Sequence, residues 1–283
     1  MRDPTQRTLL EWLSHPRFEV IPFADTAERV RDAVPTEVTV TVTASPTKGI
    51  EATLDLSVRL AAHGYPVVPH LSARLVHDTG HLKDILTRLH GAGVREVFVV
   101  AGDVQQPAGE FAGALPLLEA MAELGHGLER IGITGYPESH PFISDDVTIQ
   151  SMWDKRHYAT HIVSQVCFDA KTLGEWVRRV RRRGVQLPIY VGMPAPIDRL
   201  RLIRIAAKIG IGESARFLRG HTSWLRRLML PGGYSPDRFL AGLLPFTLEP
   251  DSGLAGLHVY TFNELEQSER WRVETIGRLR DTT

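Results

Sequence analysis

The stretch "PVVPHLSARLVHDTGHLKDILTRLHGAGVREVFVVA", residues 66–101, decides the fold. A short β-branched run at 66–71 gives way to an amphipathic pattern at 79–92 that closes on glycine, and a second apolar run follows at 96–101. Strand, helix and strand joined by short turns form the unit of a parallel sheet. The same alternation continues in both directions. Further strand patterns fall at 18–22, 37–43, 130–136, 161–168, 188–193 and 256–262, with amphipathic stretches such as 51–63 and 196–209 between them. Eight such units predict an α/β protein, a (β/α)₈ TIM barrel formed as a single domain over residues 1–283. An open doubly wound sheet would require a glycine-rich loop after the first strand, and "FEVIPFADT" at 18–26 has no glycine. Neither G-x-G-x-x-G nor a P-loop occurs. Segment 210–255 breaks the rhythm and reads as extra helices before the last strand, with "PGGYSP" as a turn.

Composition narrows the function. The chain has 283 residues, 43% of them hydrophobic, with Lys+Arg and Asp+Glu both at 33. Without a net field, neither nucleic acid nor an anionic membrane is an expected partner. The one basic run, Arg178 to Arg183, lies opposite Trp176, Val177 and Val180 and reads as a solvated helix face. The single Cys167 excludes an internal disulfide, and no 18-residue apolar run is present. A reduced, cytoplasmic protein is expected.

In a barrel, chemistry sits where the strands end and their loops converge. The polar residues at those ends are Glu19 on the first strand, Thr43 and Ser45 on the second, His70 on the third and Asp103 on the fourth. Tyr136, Glu138 and His140 follow on the fifth, Gln165 on the sixth, and Tyr260 and Asn263 on the eighth. Glu19, between Phe18 and Val20, and Gln165, inside "IVSQVCF", are the hardest to explain structurally. An unpartnered polar group in a packed interior costs about 1–3 kcal/mol.

Six segments carry a resemblance: "FEVIP" (18–22), "PHLSA" (69–73), "VVAGD" (99–103), "GYPESHP" (135–141), "IVSQVCFD" (162–169) and "LHVYTFN" (257–263). In order and spacing they resemble the methylenetetrahydrofolate reductase family, itself built on a (β/α)₈ barrel. The resemblance implies an oxidoreductase of one-carbon metabolism, on the way to methionine biosynthesis. It would reduce 5,10-methylenetetrahydrofolate to 5-methyltetrahydrofolate with NADH or NADPH, classically through FAD. Glu19 then matches the general acid that protonates folate N10, so that the ring opens to an iminium. Asp103 matches the acidic residue beside the pterin, and Gln165 the residue that pairs with it. Tyr260 and Phe262 complete the folate side. Thr43, His70, Gly102, Tyr136, His140 and Lys155 are assigned to the nicotinamide or flavin pocket.

The departures concern FAD. Where the family usually carries Arg-Gly-Asp, this chain has Ala101-Gly102-Asp103. The family's basic pair falls on Trp153 and Asp154, with Lys155 and Arg156 displaced along the helix, and Phe111 stands where a flavin-site tyrosine is expected. Arg199 takes the place of a stacking phenylalanine, and Glu264 that of a common basic residue. FAD is therefore expected to bind weakly or not at all, with NAD(P)H delivering hydride directly to the iminium. Three alternatives stand beside this one: an ordinary FAD-dependent reductase, a folate-binding barrel without turnover, and a hydrolase with a metal on His70, His140 and Asp103. Metal-dependent barrel hydrolases usually begin with His-x-His on the first strand; this chain has Phe18-Glu19-Val20, and no metal is expected.

Overall fold

A computed structural model describes residues 4–45, 47–140, 143–196 and 234–281. Eight parallel strands close into a barrel in chain order: β1 (Arg17–Val20), β2 (Thr39–Val42), β3 (Val67–Ser72), β4 (Glu96–Val100), β5 (Arg130–Gly135), β6 (His161–Ser164), β7 (Ile189–Pro194) and β8 (Leu254–Tyr260). β1 pairs with β2 on one side and β8 on the other, so the sheet has no open edge. Around it lie helices α1 (Pro4–Ser14), α2 (Thr26–Ala33), α3 (Gly49–Ala62), α4 (Thr79–Gly91), α5 (Ala114–Glu123), α6 (Asp145–Lys155) and α7 (Ala170–Arg182). Two more described helices, α8 (Pro236–Thr247) and α9 (Leu265–Asp281), flank β8.

All eight predicted strands are present. The alternation of each strand sends residues such as Phe18, Leu71 and Val97 outward against the helices, where Leu54, Leu117 and Trp176 meet them, all buried. Each such side chain contributes about 1.5–3 kcal/mol. Helix starts are set by local chemistry: Asp78 accepts from His81 N, Asp169 from Thr172 N, and Ser235 from Arg238 N with Pro236 in the first turn.

Two expectations change. β6 ends at Ser164 rather than at 168, because Gln165 turns its own Oε1 onto the Val166 N–H at 3.1 Å and takes that donor from the ladder. Helix α1 was not anticipated; it docks on α9, with Gln6 Nε2 donating to Leu279 O at 2.5 Å and Arg272 Nη1 to Leu13 O at 3.0 Å. The basic run is a solvated face as expected, with Arg178, Arg182 and Arg183 exposed opposite the buried Trp176, Val177 and Val180, and it also makes anchoring contacts. Arg178 pairs with Glu249, Arg179 with Asp145, and Arg181 donates to the carbonyls of Val185, Leu187, Asp251 and Ser252. Of the extra helices before the last strand, α8 lies within the described residues. Residues 210–233 and the pattern at 197–209, Arg199 included, lie outside them.

Candidate functional site

Inside the barrel the side chains stack in layers. At the lower end, where the strands begin, Arg17 grips Glu96 across the lumen with Nη1 at 2.5 Å and Nη2 at 3.2 Å. Arg130 Nη2 donates to the Tyr190 hydroxyl at 2.8 Å, and the Arg17 guanidinium lies 4.0 Å over the Tyr190 ring. His161 Nε2 is 3.1 Å from Glu96 Oε1 yet off the hydrogen-bond direction, and burial holds its imidazole below the usual histidine range. Burial would raise the Glu96 carboxyl, but His161 and Arg17 together outweigh it and hold it at about 2. Above this layer Val68, Phe98 and Val163 form an apolar ring.

Above the ring, towards the strand ends, lies Glu19. β1 places it in register with Thr41 of β2 and Tyr260 of β8. Its Oε2 is 2.8 Å from His258 Nε2 and 3.8 Å from His70 Nε2, the latter too long for a hydrogen bond. Burial raises the Glu19 carboxyl to about 7, against the opposing pull of His70. Burial lowers His70 to about 4 and His258 to about 3, so both imidazoles are neutral near pH 7. Thr41 Oγ1, His70 Nε2 and His258 Nδ1 are buried without a hydrogen-bond partner among the described residues. The arrangement is a carboxyl half protonated near neutrality, flanked by neutral imidazoles and by buried polar atoms without partners among the described residues.

Several predicted residues meet here. The Tyr260 ring lies 4.9 Å from His258, and its hydroxyl donates to Ser164 O at 3.3 Å, beside Gln165. Burial keeps Tyr260 well above the usual phenol range, with Glu19 and Tyr136 adding to the rise. Tyr136 stacks edge-on against His140 at 5.0 Å. Burial also raises Tyr136, opposed by a Thr134 hydrogen bond, and the Asp103 carboxylate adds to that rise. Asp103 is exposed, just beyond Gly102, whose φ of +94° and tight seat against the Ser72 hydroxyl exclude any side chain. Phe262 is half-buried, in a left-handed conformation at φ +50°.

Other residues have structural employment. Asn263 holds the β1 exit, accepting from Ile21 N at 2.7 Å and donating to Ile21 O at 2.9 Å and Thr26 Oγ1 at 3.0 Å. Glu138 Oε1 accepts from Phe168 N at 2.9 Å, and Ser45 pairs with Thr47 at 3.0 Å. Thr43 takes the β1 ladder through its N–H and accepts Thr53 Oγ1 on its carbonyl. Lys155 does not share the chamber. It ends α6 just before the turn to Thr160, which bonds Ile131 at the start of β5, and so lies at the opposite end of the barrel. Burial lowers its amine to about 8. Sequence reasoning missed His258, although a histidine between Leu257 and Val259 carries the same signal as Glu19 between Phe18 and Val20.

Ala101, where the resemblance implies a flavin-holding arginine, presents no cation to a pyrophosphate. Ala101 offers only its carbonyl, to Arg74 N at 3.0 Å. The nearby Arg74 guanidinium is committed to the Ala112 and Val104 carbonyls at 2.9 and 3.1 Å. Trp153 and Asp154 end α6 with Lys155, at the opposite end of the barrel from Glu19, where the Arg156 guanidinium lies 3.5 Å from the Trp153 ring and Asp154 accepts from Gln150 at 2.8 Å, so this pair does not bear on phosphate at the strand-end side. Phe111 is packed in the core. Among the described residues no group of three His, Cys, Asp or Glu side chains could hold a metal ion, and no helix is long and apolar enough to cross a membrane.

Comparisons with known proteins bear on the family of the chain. A methylenetetrahydrofolate reductase family model matches residues 15–212. The chain is 26% identical over 221 residues to Methylenetetrahydrofolate reductase 1 of Schizosaccharomyces pombe, a match covering 69% of this chain and 33% of that protein. The chain thus spans about a third of that relative's length. Among solved structures, a GH18 chitinase from Pseudoalteromonas aurantia covers 93% of this chain and 100% of its own at a TM-score of 0.52. At 11% identity that likeness is one of fold alone. With the family model covering more than half of its length, the chain belongs to the methylenetetrahydrofolate reductase family.

Proposed function

We propose that the protein reduces 5,10-methylenetetrahydrofolate to 5-methyltetrahydrofolate, taking hydride from NADH or NADPH without tightly bound FAD. The observation that carries this is Glu19, a buried carboxyl held to about 7 at the strand-end side of the barrel. An acid of that strength is half protonated near neutrality and can be drawn on at the working pH. In this reading the Glu19 O–H breaks and its proton goes to folate N10; the N10–methylene bond opens, leaving a cationic iminium at N5. Hydride from the nicotinamide then adds to the methylene carbon, leaving a methyl group and the oxidised dinucleotide. Asp103, exposed at the mouth, balances the iminium charge, and Gln165 offers amide donor and acceptor to the pterin. Tyr260 and Phe262 supply aromatic surface to the folate. Thr43, His70, Gly102, Tyr136 and His140 border the space left for the nicotinamide. No step is assigned to FAD, because Ala101 offers no cation and the nearby Arg74 guanidinium already serves two carbonyls.

The test is steady-state kinetics on protein stripped of flavin. NADH or NADPH oxidation should depend on methylenetetrahydrofolate and follow a sequential pattern, since both substrates must be present together. Dependence on added FAD, or ping-pong kinetics, would return the chain to the flavin-dependent class. Absence of turnover together with tight folate binding would favour a binding barrel.

A further inference from the structure

The contact between β8 and β1 bears on how Glu19 is prepared for proton transfer, and its role rests on Glu19 being the acid proposed above. We infer that His258 is a positioning residue: it donates Nε2–H to Glu19 Oε2 and so keeps the transferable proton of Glu19 on Oε1, the oxygen without a partner.

The argument is one of hydrogen-bond accounting. His258 is 1% exposed, and its Nδ1 has no partner. A neutral imidazole carries a single N–H. Placed on Nδ1, that hydrogen would be a buried donor facing no acceptor, and Glu19 would have to turn its own proton onto Nε2. Placed on Nε2, it satisfies Oε2 at 2.8 Å and leaves only a lone pair unmet at Nδ1, the smaller cost. A protonated carboxyl whose Oε2 accepts in this way carries its proton on Oε1. Among the described residues Oε1 has no hydrogen bond, and the Glu19 side chain keeps 13% of its exposure where His258 keeps 1%.

No neighbouring group competes for this place. His70 Nε2, from β3, stays at 3.8 Å. Tyr260, from β8, gives its hydroxyl hydrogen to Ser164 O. Tyr136, just after β5, reaches Glu19 only through Tyr260, which feels both charges. Below, Arg17 and Glu96 are paired with each other, and Thr41 of β2 is uncharged. As Glu19 gives up its proton, the O–H electron pair stays on the carboxylate and the Nε2–H bond becomes charge-assisted. The contact therefore strengthens in the transition state, where it accelerates the step.

The experiment uses the full chain with His258→Phe and His258→Leu, which remove the donor, and His258→Gln, whose amide nitrogen can stand where Nε2 stood. Infrared titration follows the Glu19 carboxyl stretch, identified by its loss in Glu19→Gln, and needs no substrate. Removing the donor should raise the Glu19 midpoint by about one to two pH units, the worth of a charge-assisted hydrogen bond. His258→Gln should recover most of that shift, and the kcat pH profile for folate reduction should move in parallel with KM unchanged. An unmoved midpoint in the folded Phe or Leu variant, or a Gln variant displaced as far as they are, overturns the assignment. A midpoint that moves as expected in a protein that reduces no folate upholds the positioning contact and overturns the reductase proposal instead.

Discussion

The proposed proton donor is Glu19, and one isosteric change separates its proton from its shape. Glu19→Gln should lower folate reduction by about 10²–10⁴-fold while folate binding is retained, the usual scale of general acid catalysis. Binding is checked by calorimetry and turnover by NADH absorbance. In the wild-type protein, turnover should fall as pH rises through about 7, because the acid form is lost there. The same shift has a stability cost with a definite sign. The carboxyl has an ordinary value of 4.5 and a folded value of about 7, so its contribution is intact below 4.5 and lost as pH rises through 7. Glu19→Gln should therefore be more stable than wild type at pH 8, by up to about 3 kcal/mol, and no different at pH 4. Thermal melts at the two pH values decide this. Asp103→Asn, at an exposed position, should cost about 1–3 kcal/mol of folate affinity and turnover with no response to chelator. Activity lost on chelation and restored by Zn²⁺ would place a metal on the site instead.

Between elements, the lower barrel is tied by a charge cluster and the outer layer by close helix contact. Glu96 of β4 joins Arg17 of β1 across the lumen and approaches His161 of β6 and Arg130 of β5. Glu96→Ala would leave the buried Arg17 charge uncompensated, and urea unfolding should show a loss of about 3–5 kcal/mol. With a folded value of about 2 against 4.5, the contribution of Glu96 is present above 4.5 and lost as pH falls towards 2. Outside the barrel, α8 docks on α7 where the Phe246 ring sits directly on Gly174, leaving no room for a Cβ. Gly174→Ala should cost about 1–3 kcal/mol through overpacking, measured in the same urea titration. A null effect would mean that the α8 contact is not rigid.

For the whole molecule, the closed barrel brings Glu19, His70, His258 and Tyr260 from three strands together at its strand-end side, while the loop after β4 is stitched to the loop after β3 by Arg74. That stitching bears on the flavin question, since the guanidinium nearest Ala101 already serves two carbonyls. Purified protein should be colourless. Ala101→Arg should strengthen whatever flavin affinity is present by about 1.5–3 kcal/mol, the scale of one charged hydrogen bond, read by fluorescence titration. Stoichiometric FAD in the wild-type protein would refute the direct-transfer proposal.

The barrel and its eight strands were legible in the chain because a parallel strand buried on both faces is written as a continuous β-branched run, and the helices between are written with a 3.6-residue period. Glu19 and Gln165 stood out for the same reason, as polar breaks in apolar runs. Periodicity carries no partner information, however. That Glu19 meets His258, 239 residues away, and that Arg17 meets Glu96 follows from how the lumen closes. The same holds for Asn263 and Glu138, which look like site residues until their hydrogen bonds to Ile21 and Phe168 are seen. It holds too for Lys155, which the helix direction carries to the far end. Side-chain type and spacing are local properties of the chain, whereas burial, and with it the displaced acidity of Glu19, exists only once distant strands have excluded water.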